Sequence, residues 1–287
     1  MSKIAIITDT DCSLPLEITN RYGIVQVPIT IQFGKESFRA VYDLDDAATF
    51  ARIDREGRIP TTAAPAPGQY AEAYRAAFEA GAEAILCFAI SSTMSACYQA
   101  ALTAREMFPE REIRVVDTKT LSLAQGFMVL TAAEALSRGA SLDEAQAAAE
   151  SAGARTHLFA ALSTLKYLAM SGRVGHLAAG LAGLLEVRPI LTVIDGKLQL
   201  LERVRTQRKA WERVIELAVE AARGRRIERI GYLHVNAREM AEQFAAQVSA
   251  ALPCPAAPIY ADMTPGLSIH SGAGLVGVVF VAAENGN

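Results

Sequence analysis

The sequence has 287 residues, a length that fits one large domain or two ordinary ones. Its 28 Lys and Arg nearly balance 31 Asp and Glu, and a net charge of −3 gives no global electrostatic reason to bind nucleic acid or an anionic membrane. With 51% hydrophobic and 21% charged residues the chain has ample material for a core, which excludes disordered, fibrous and low-complexity classes.

In chain order, MSKIAIIT lacks the apolar h-region of a signal peptide, and KIAIIT (3–8) reads as a first strand. Further strands are expected at IVQVPITI (24–31), AEAILCFAI (82–90) and REIRVVD (111–117). Helical patterns separate them, starting at Gly68 and Met94, and a third after Asp117 ends at Gly139. A capping box, Ser141 with Glu144, opens the next helix. This alternation predicts a parallel, Rossmann-like sheet covered on both faces over residues 1–157.

The pattern then changes. PILTVIDGKLQLLERV (189–204) carries Asp195-Gly196 between two apolar runs, a hairpin signal. Strands at 228–235, 258–263 and 275–283 alternate with helical patterns at 209–223 and 237–251. Residues 158–287 are therefore expected to form an α+β domain with a mixed or antiparallel sheet. The charge-free stretch 263–283 is long enough for a membrane span, but Pro265, Gly266, Gly272, Gly274 and Gly277 make a lipid-exposed helix untenable. The four cysteines show no CxxC spacing, and without a secretory signal free thiols in a cytoplasmic protein are expected.

Several segments carry chemistry, each beside a plainer reading. ITDTDCSLP (7–15) ends the first strand, where open α/β sheets gather ligands, so Asp9, Thr10 and Ser13 are candidates by location or members of an ordinary turn. IPTTAAPAPGQY (59–70) places Thr61 and Thr62 before a stiff proline segment, as a cap and rigid loop or as a contact. In AISSTMSACYQAA (89–101) the hydroxyls of Ser91, Ser92, Thr93 and Ser95 suit helix capping or an anion. LSIHSGAG (267–274) sets His270 at a glycine-flanked turn, as a donor to a carboxylate or as a loop histidine without a ligand. Arg173, in a Ser-Gly-Arg turn, and Arg205, in RVRTQRKA (203–210), suit a phosphate or a solvated face. GAGLVG (272–277) matches a dinucleotide fingerprint in letters only, since a strand-like run rather than a helix follows it. The histidines and cysteines have no zinc spacing, and no metal or cofactor is expected. A serine hydrolase built from Ser92 or Ser95 with His270, and Asp9 as a third member, has the residue types but no G-x-S-x-G elbow.

Taken together, ITDTDCSLP, TTAAPAPG, ISSTMSACYQAA, VVDTKTLSLAQG, LKYLAMSGRVG, RVRTQRKA and SIHSGAG resemble, in order and spacing, the DegV family of bacterial fatty-acid-binding proteins. The resemblance implies a two-domain α/β protein that buries an acyl chain and is not itself an enzyme. It implies that Thr62, Ser92 and His270 hold the fatty acid carboxylate, with Ser95 a secondary contact. It also implies a partner: some such proteins carry the substrate of a two-component fatty acid kinase, whose separate ATP-binding subunit makes an acyl phosphate for phospholipid synthesis. Arg173 and Arg205 match the surface arginines expected to serve that transfer. The sequence departs from the usual pattern at Ser13, Ala63, Ala64, Ala96, Ser171 and Ala273, none of them a proposed carboxylate contact.

Overall fold

The computed structural model describes residues 4–172 and 187–284. The first strand, β1 (Ile4–Asp9), ends in a 3-10 turn at Thr10–Cys12, followed by α1 (Leu16–Tyr22) and β2 (Val25–Val27). Then come β3 (Thr30–Phe33), β4 (Glu36–Arg39), α2 (Asp46–Glu56), β5 (Thr61–Ala63), α3 (Pro67–Glu79) and β6 (Ala84–Ala89). The helix α4 (Cys97–Arg105), β7 (Glu112–Asp117), α5 (Ser122–Ser137) and α6 (Leu142–Ala154) complete this part of the chain. The strands pair in parallel in the order β2-β1-β6-β7, and β6 is buried at every position, as its unbroken apolar run demands.

Beyond α6 the chain forms β8 (Thr156–Ala161), α7 (Lys166–Met170), the hairpin β9 (Arg188–Ile194) and β10 (Lys197–Val204), and α8 (Gln207–Ala222). The remainder is β11 (Ile227–His234), α9 (Arg238–Ala251), β12 (Ile259–Asp262), α10 (Pro265–Ser271) and β13 (Val276–Ala282). The order is β10-β9-β8-β13-β11-β12, antiparallel throughout except for the parallel β11–β12 pair, so the sheet is mixed as the sequence predicts. Asp195 and Gly196 turn the hairpin with φ of 49° and 79°, the left-handed pair that a two-residue loop requires. The stretch 263–283 is divided between α10 and β13, and no described helix is long and apolar enough to cross a membrane.

Three expectations need correction. The run 24–31 is two strands in different sheets, because Pro28 offers no N–H to a ladder and the Ile29 N–H donates to Thr10 Oγ1 at 3.0 Å. Thr30–Phe33 instead centres a small antiparallel sheet, β4-β3-β5, so Thr61 and Thr62 lie on a short edge strand rather than in a loop. The helix expected from Met94 begins only at Cys97, because residues 91–96 form a turn in which the Ser91 carbonyl accepts from the N–H groups of Met94 and Ser95.

The layers meet on α5. Thirteen of its sixteen residues are buried, and it packs against β1 and β6 on one side and β8, β11 and β13 on the other. A helix apolar all round is stable only when enclosed in this way. On the far face of the mixed sheet, α8 and α9 bury Trp211, Val214, Phe244 and Val248. The close approach of α5 to the turn after β1 depends on Gly126, where a Cβ would lie 2.6 Å from the Cys12 carbonyl oxygen. Gly126→Ala is therefore expected to destabilise the fold by about 1–3 kcal/mol, opposite in sign to the ~1 kcal/mol gain of alanine in an open helix. Denaturant midpoints check this, and a raised midpoint would contradict the packing.

Candidate functional site

A cavity of about 770 Å³ lies at the carboxyl ends of β1 and β6, between the turns that follow them and the inner face of the mixed sheet. Its walls are largely aliphatic, with Ile29, Ile90 and Leu121 from the first part of the chain and Leu158, Leu191 and Leu233 from the mixed sheet. The size suits a small-molecule ligand with a long apolar part, and the aliphatic walls are interrupted by hydroxyls, Asp11, Lys197 and His270.

Thr62, Ser92, Ser95 and His270 all line this cavity. Thr62 sits on β5 opposite Ile31, and its Oγ1 lies 3.0 Å from His270 Nε2. His270 is not in a turn, as the sequence reading has it, but on the last turn of α10, and only 9% of it is exposed. Pro265 opens that helix at its first position, and Gly272, with φ of 82°, ends it against the ring of Tyr167, where a Cβ would come within 2.3 Å.

Ser92 is exposed, and its hydroxyl donates to Asp117 Oδ2 at 2.6 Å while its N–H donates to Oδ1 at 3.2 Å. The Lys119 N–H also donates to Oδ1, at 3.0 Å, so Asp117 fixes the serine turn from the end of β7. Ser95 has the plainer role as well: its Oγ lies 3.1 Å from Cys97 Sγ and accepts from the Cys97 N–H at the start of α4.

The hydrolase triad is not assembled. The Ser92 hydroxyl is committed to Asp117, and Asp9 is buried in a network of its own. Asp9 accepts from the N–H groups of Ile90 and Asp11 at 2.8 and 3.1 Å and from Gln125 Nε2 at 3.0 Å. Burial still outweighs these bonds and pushes its carboxyl up to about 6. Thr10 and Ser13 are likewise absorbed by the fold, accepting from the Ile29 N–H and the Ser122 hydroxyl.

Asp11 is one cavity residue that sequence reasoning overlooks. It is buried, faces the cavity and accepts from Thr264 Oγ1 at 3.4 Å. Burial, and then the neighbouring Asp9, hold its carboxyl well above the usual range. The available signal is the D-x-D spacing at a strand end, which sets a second carboxyl beside the one the turn consumes.

Arg205 is exposed, lies just after β10 and is not among the residues lining the cavity; Arg173 lies outside the described residues. Among the described residues no three His, Cys, Asp or Glu side chains are grouped to hold a metal ion.

The position of α10 is set from behind. The helix α2 packs against α10, and its first residue, Asp46, accepts from the Asn236 N–H at 2.9 Å. His234 Nδ1 lies 2.8 Å from Asp262 Oδ1 beside it. Burial pushes the Asp46 carboxyl up to about 7, with the Asp262 charge adding to it, against the Asn236 hydrogen bond and His234.

Comparison with known proteins bears on this arrangement. A family model described as "Uncharacterised protein, DegV family" matches residues 3–283. A DegV domain-containing protein of Streptomyces coelicolor is 34% identical over 276 residues, which is 96% of this chain and 97% of that protein. A Thermus thermophilus structure described as fatty acid binding of a DegV family protein superposes with a TM-score of 0.91 at 30% identity, covering 98% of this chain and 99% of that one. The Bacillus subtilis structure of DegV, described as a fatty acid binding protein, gives 0.88 at 25% identity, covering 99% and 100%.

The support of α10 has a pH signature. The folded state raises the Asp46 carboxyl from 3.8 to about 7, so the native protein binds the extra proton and its stability falls as pH rises through that window. Asp46→Asn is expected to flatten the fall between about pH 4 and 7, as read by denaturant titrations across that range. A slope identical to that of the unsubstituted protein would contradict the assignment.

Proposed function

The chain belongs to the DegV family, and on that footing we propose that it binds a long-chain fatty acid, with the acyl chain in the cavity and the carboxylate at Thr62, Ser92 and His270. The observation that carries this reading is the Thr62–His270 contact at 3.0 Å opening onto an aliphatic cavity of about 770 Å³. The relatives from Thermus thermophilus and Bacillus subtilis, described as binding fatty acids, support it. Sixteen or so carbons buried at ~0.8 kcal/mol per CH₂ contribute on the order of 10 kcal/mol before the costs of association. A buried carboxylate needs donors to offset its desolvation, and a hydroxyl with an imidazole supplies them. Ser95 remains a secondary contact, since its hydroxyl already serves Cys97.

In this reading the chain positions its ligand and performs no chemistry alone. A separate ATP-dependent kinase subunit supplies the phosphoryl group: a carboxylate oxygen bonds to the γ-phosphorus, the bond to ADP breaks, and an acyl phosphate results for phospholipid synthesis. Arg205 and Arg173 would serve that complex, as guanidinium groups matched to phosphate. The serine hydrolase reading is set aside, because the Ser92 hydroxyl donates to a carboxylate instead of being activated by an imidazole.

His270→Ala and Thr62→Val are expected to weaken binding of added hexadecanoate roughly tenfold each with the thermal midpoint little changed. Arg205→Ala is expected to bind as the unsubstituted protein does and to be phosphorylated more slowly by the cognate kinase. Unchanged affinity in both cavity variants would remove the carboxylate site. Unchanged turnover would remove Arg205 from the transfer.

A further inference from the structure

The head-group end of the cavity has an unbalanced charge. Ser92, the exposed hydroxyl at its mouth, is bonded to the Asp117 carboxylate at 2.6 Å. A second anion a few ångströms from Asp117 is repelled by about 1 kcal/mol even in a water-like medium, and by more as water is excluded. To donate to a ligand carboxylate the Ser92 hydroxyl has to turn away from Asp117, and until it does it offers a ligand only lone pairs. An anionic head group at Ser92 therefore calls for a cation.

The lining contains one Lys or Arg among the described residues, and it is Lys197. Its place is set by backbone geometry rather than by chance exposure. Lys197 is the first residue of β10, directly after the left-handed pair Asp195 and Gly196. The Gly196 carbonyl oxygen accepts from Ser91 Oγ at 2.8 Å and from Thr93 Oγ1 at 2.5 Å, the two residues that flank Ser92. A Cβ at Gly196 would lie 2.6 Å from Ser91 Oγ, so the turn approaches the serine loop as closely as a backbone can. Lys197 is exposed and has no carboxylate partner among the described residues, which leaves its charge available. Lys119 backs the same turn, with its Cα 3.6 Å from that Cβ position, but does not line the cavity.

We propose that Lys197 is the cationic contact of the ligand head group, held at the cavity mouth by the hairpin turn docked on Ser91 and Thr93, and that it selects an anionic amphiphile over a neutral one of the same length. The proposal rests on the fatty-acid reading and adds to it the residue that discriminates the charge. Lysine suits this position: it is a flexible point charge that follows a carboxylate without demanding a fixed planar geometry.

The test compares hexadecanoate with 1-hexadecanol by displacement of a fluorescent fatty acid, for the unsubstituted protein, Lys197→Met and Lys197→Arg. Lys197→Met is expected to lose about three- to tenfold in affinity for hexadecanoate and none for hexadecanol, with Lys197→Arg restoring the preference. The preference of the unsubstituted protein is expected to shrink at high ionic strength, and that of Lys197→Met to respond little. A preference in Lys197→Met equal to that of the unsubstituted protein overturns the role of Lys197 and leaves the fatty-acid reading standing. An equal loss for both ligands also overturns it, since the effect would then be on the cavity and not on charge. Failure of the unsubstituted protein to bind either ligand overturns the fatty-acid reading and this proposal together.

Discussion

The carboxylate of Asp9 is the constraint on which the site depends. It sits fully buried at the end of the first strand, where an anion is costly unless donors surround it. The donors come from three directions: the Ile90 N–H beyond β6, the Asp11 N–H in its own turn, and the amide of Gln125 in the central helix. Holding those groups fixes the turn after β1, the start of the serine loop and the seat of α5 relative to one another. Gly126, next to Gln125, lets the helix come close enough for that amide to reach.

From that anchor the remaining contacts form pairs across the cavity. Asp11 reaches Thr264 before α10, Thr62 reaches His270 at its end, and Ser91 and Thr93 hold the β9–β10 turn. Each pair joins a residue before position 100 to one beyond 190. The aliphatic interior of the cavity is thus closed by a ring of specific polar contacts, and its mouth lies where Ser92, Asp117 and the hairpin turn meet. Under the Lys197 proposal such a mouth reads charge as well as shape.

What the sequence reveals and what it hides divide along local and non-local causes. The Asp195-Gly196 hairpin, the Ser141–Glu144 capping box and the parallel strand at 84–89 are all legible, since each follows from neighbouring residues. The break at Pro28 follows from proline's missing N–H, which does not suit the middle of a sheet. Pro265, a helix-starting residue five positions before His270, is the matching signal that α10 is a helix. The edge-strand setting of Thr62 rests on pairing with Ile31, 31 positions away, and the Ser92–Asp117 bond spans 25, so neither is written in local pattern. The resemblance of motifs brings Thr62, Ser92, Ser95 and His270 to one cavity, but it does not reveal that Ser92 is already bonded or that Asp11 faces the same space.

The central claim is that the cavity holds a long-chain fatty acid, and the most direct measurement is a denaturing organic extraction of freshly purified protein read by mass spectrometry. A near-stoichiometric long-chain fatty acid is expected in the extract, which a cavity of about 770 Å³ has room to hold. An extract free of lipid, from a protein that also fails to take up added hexadecanoate, would contradict it.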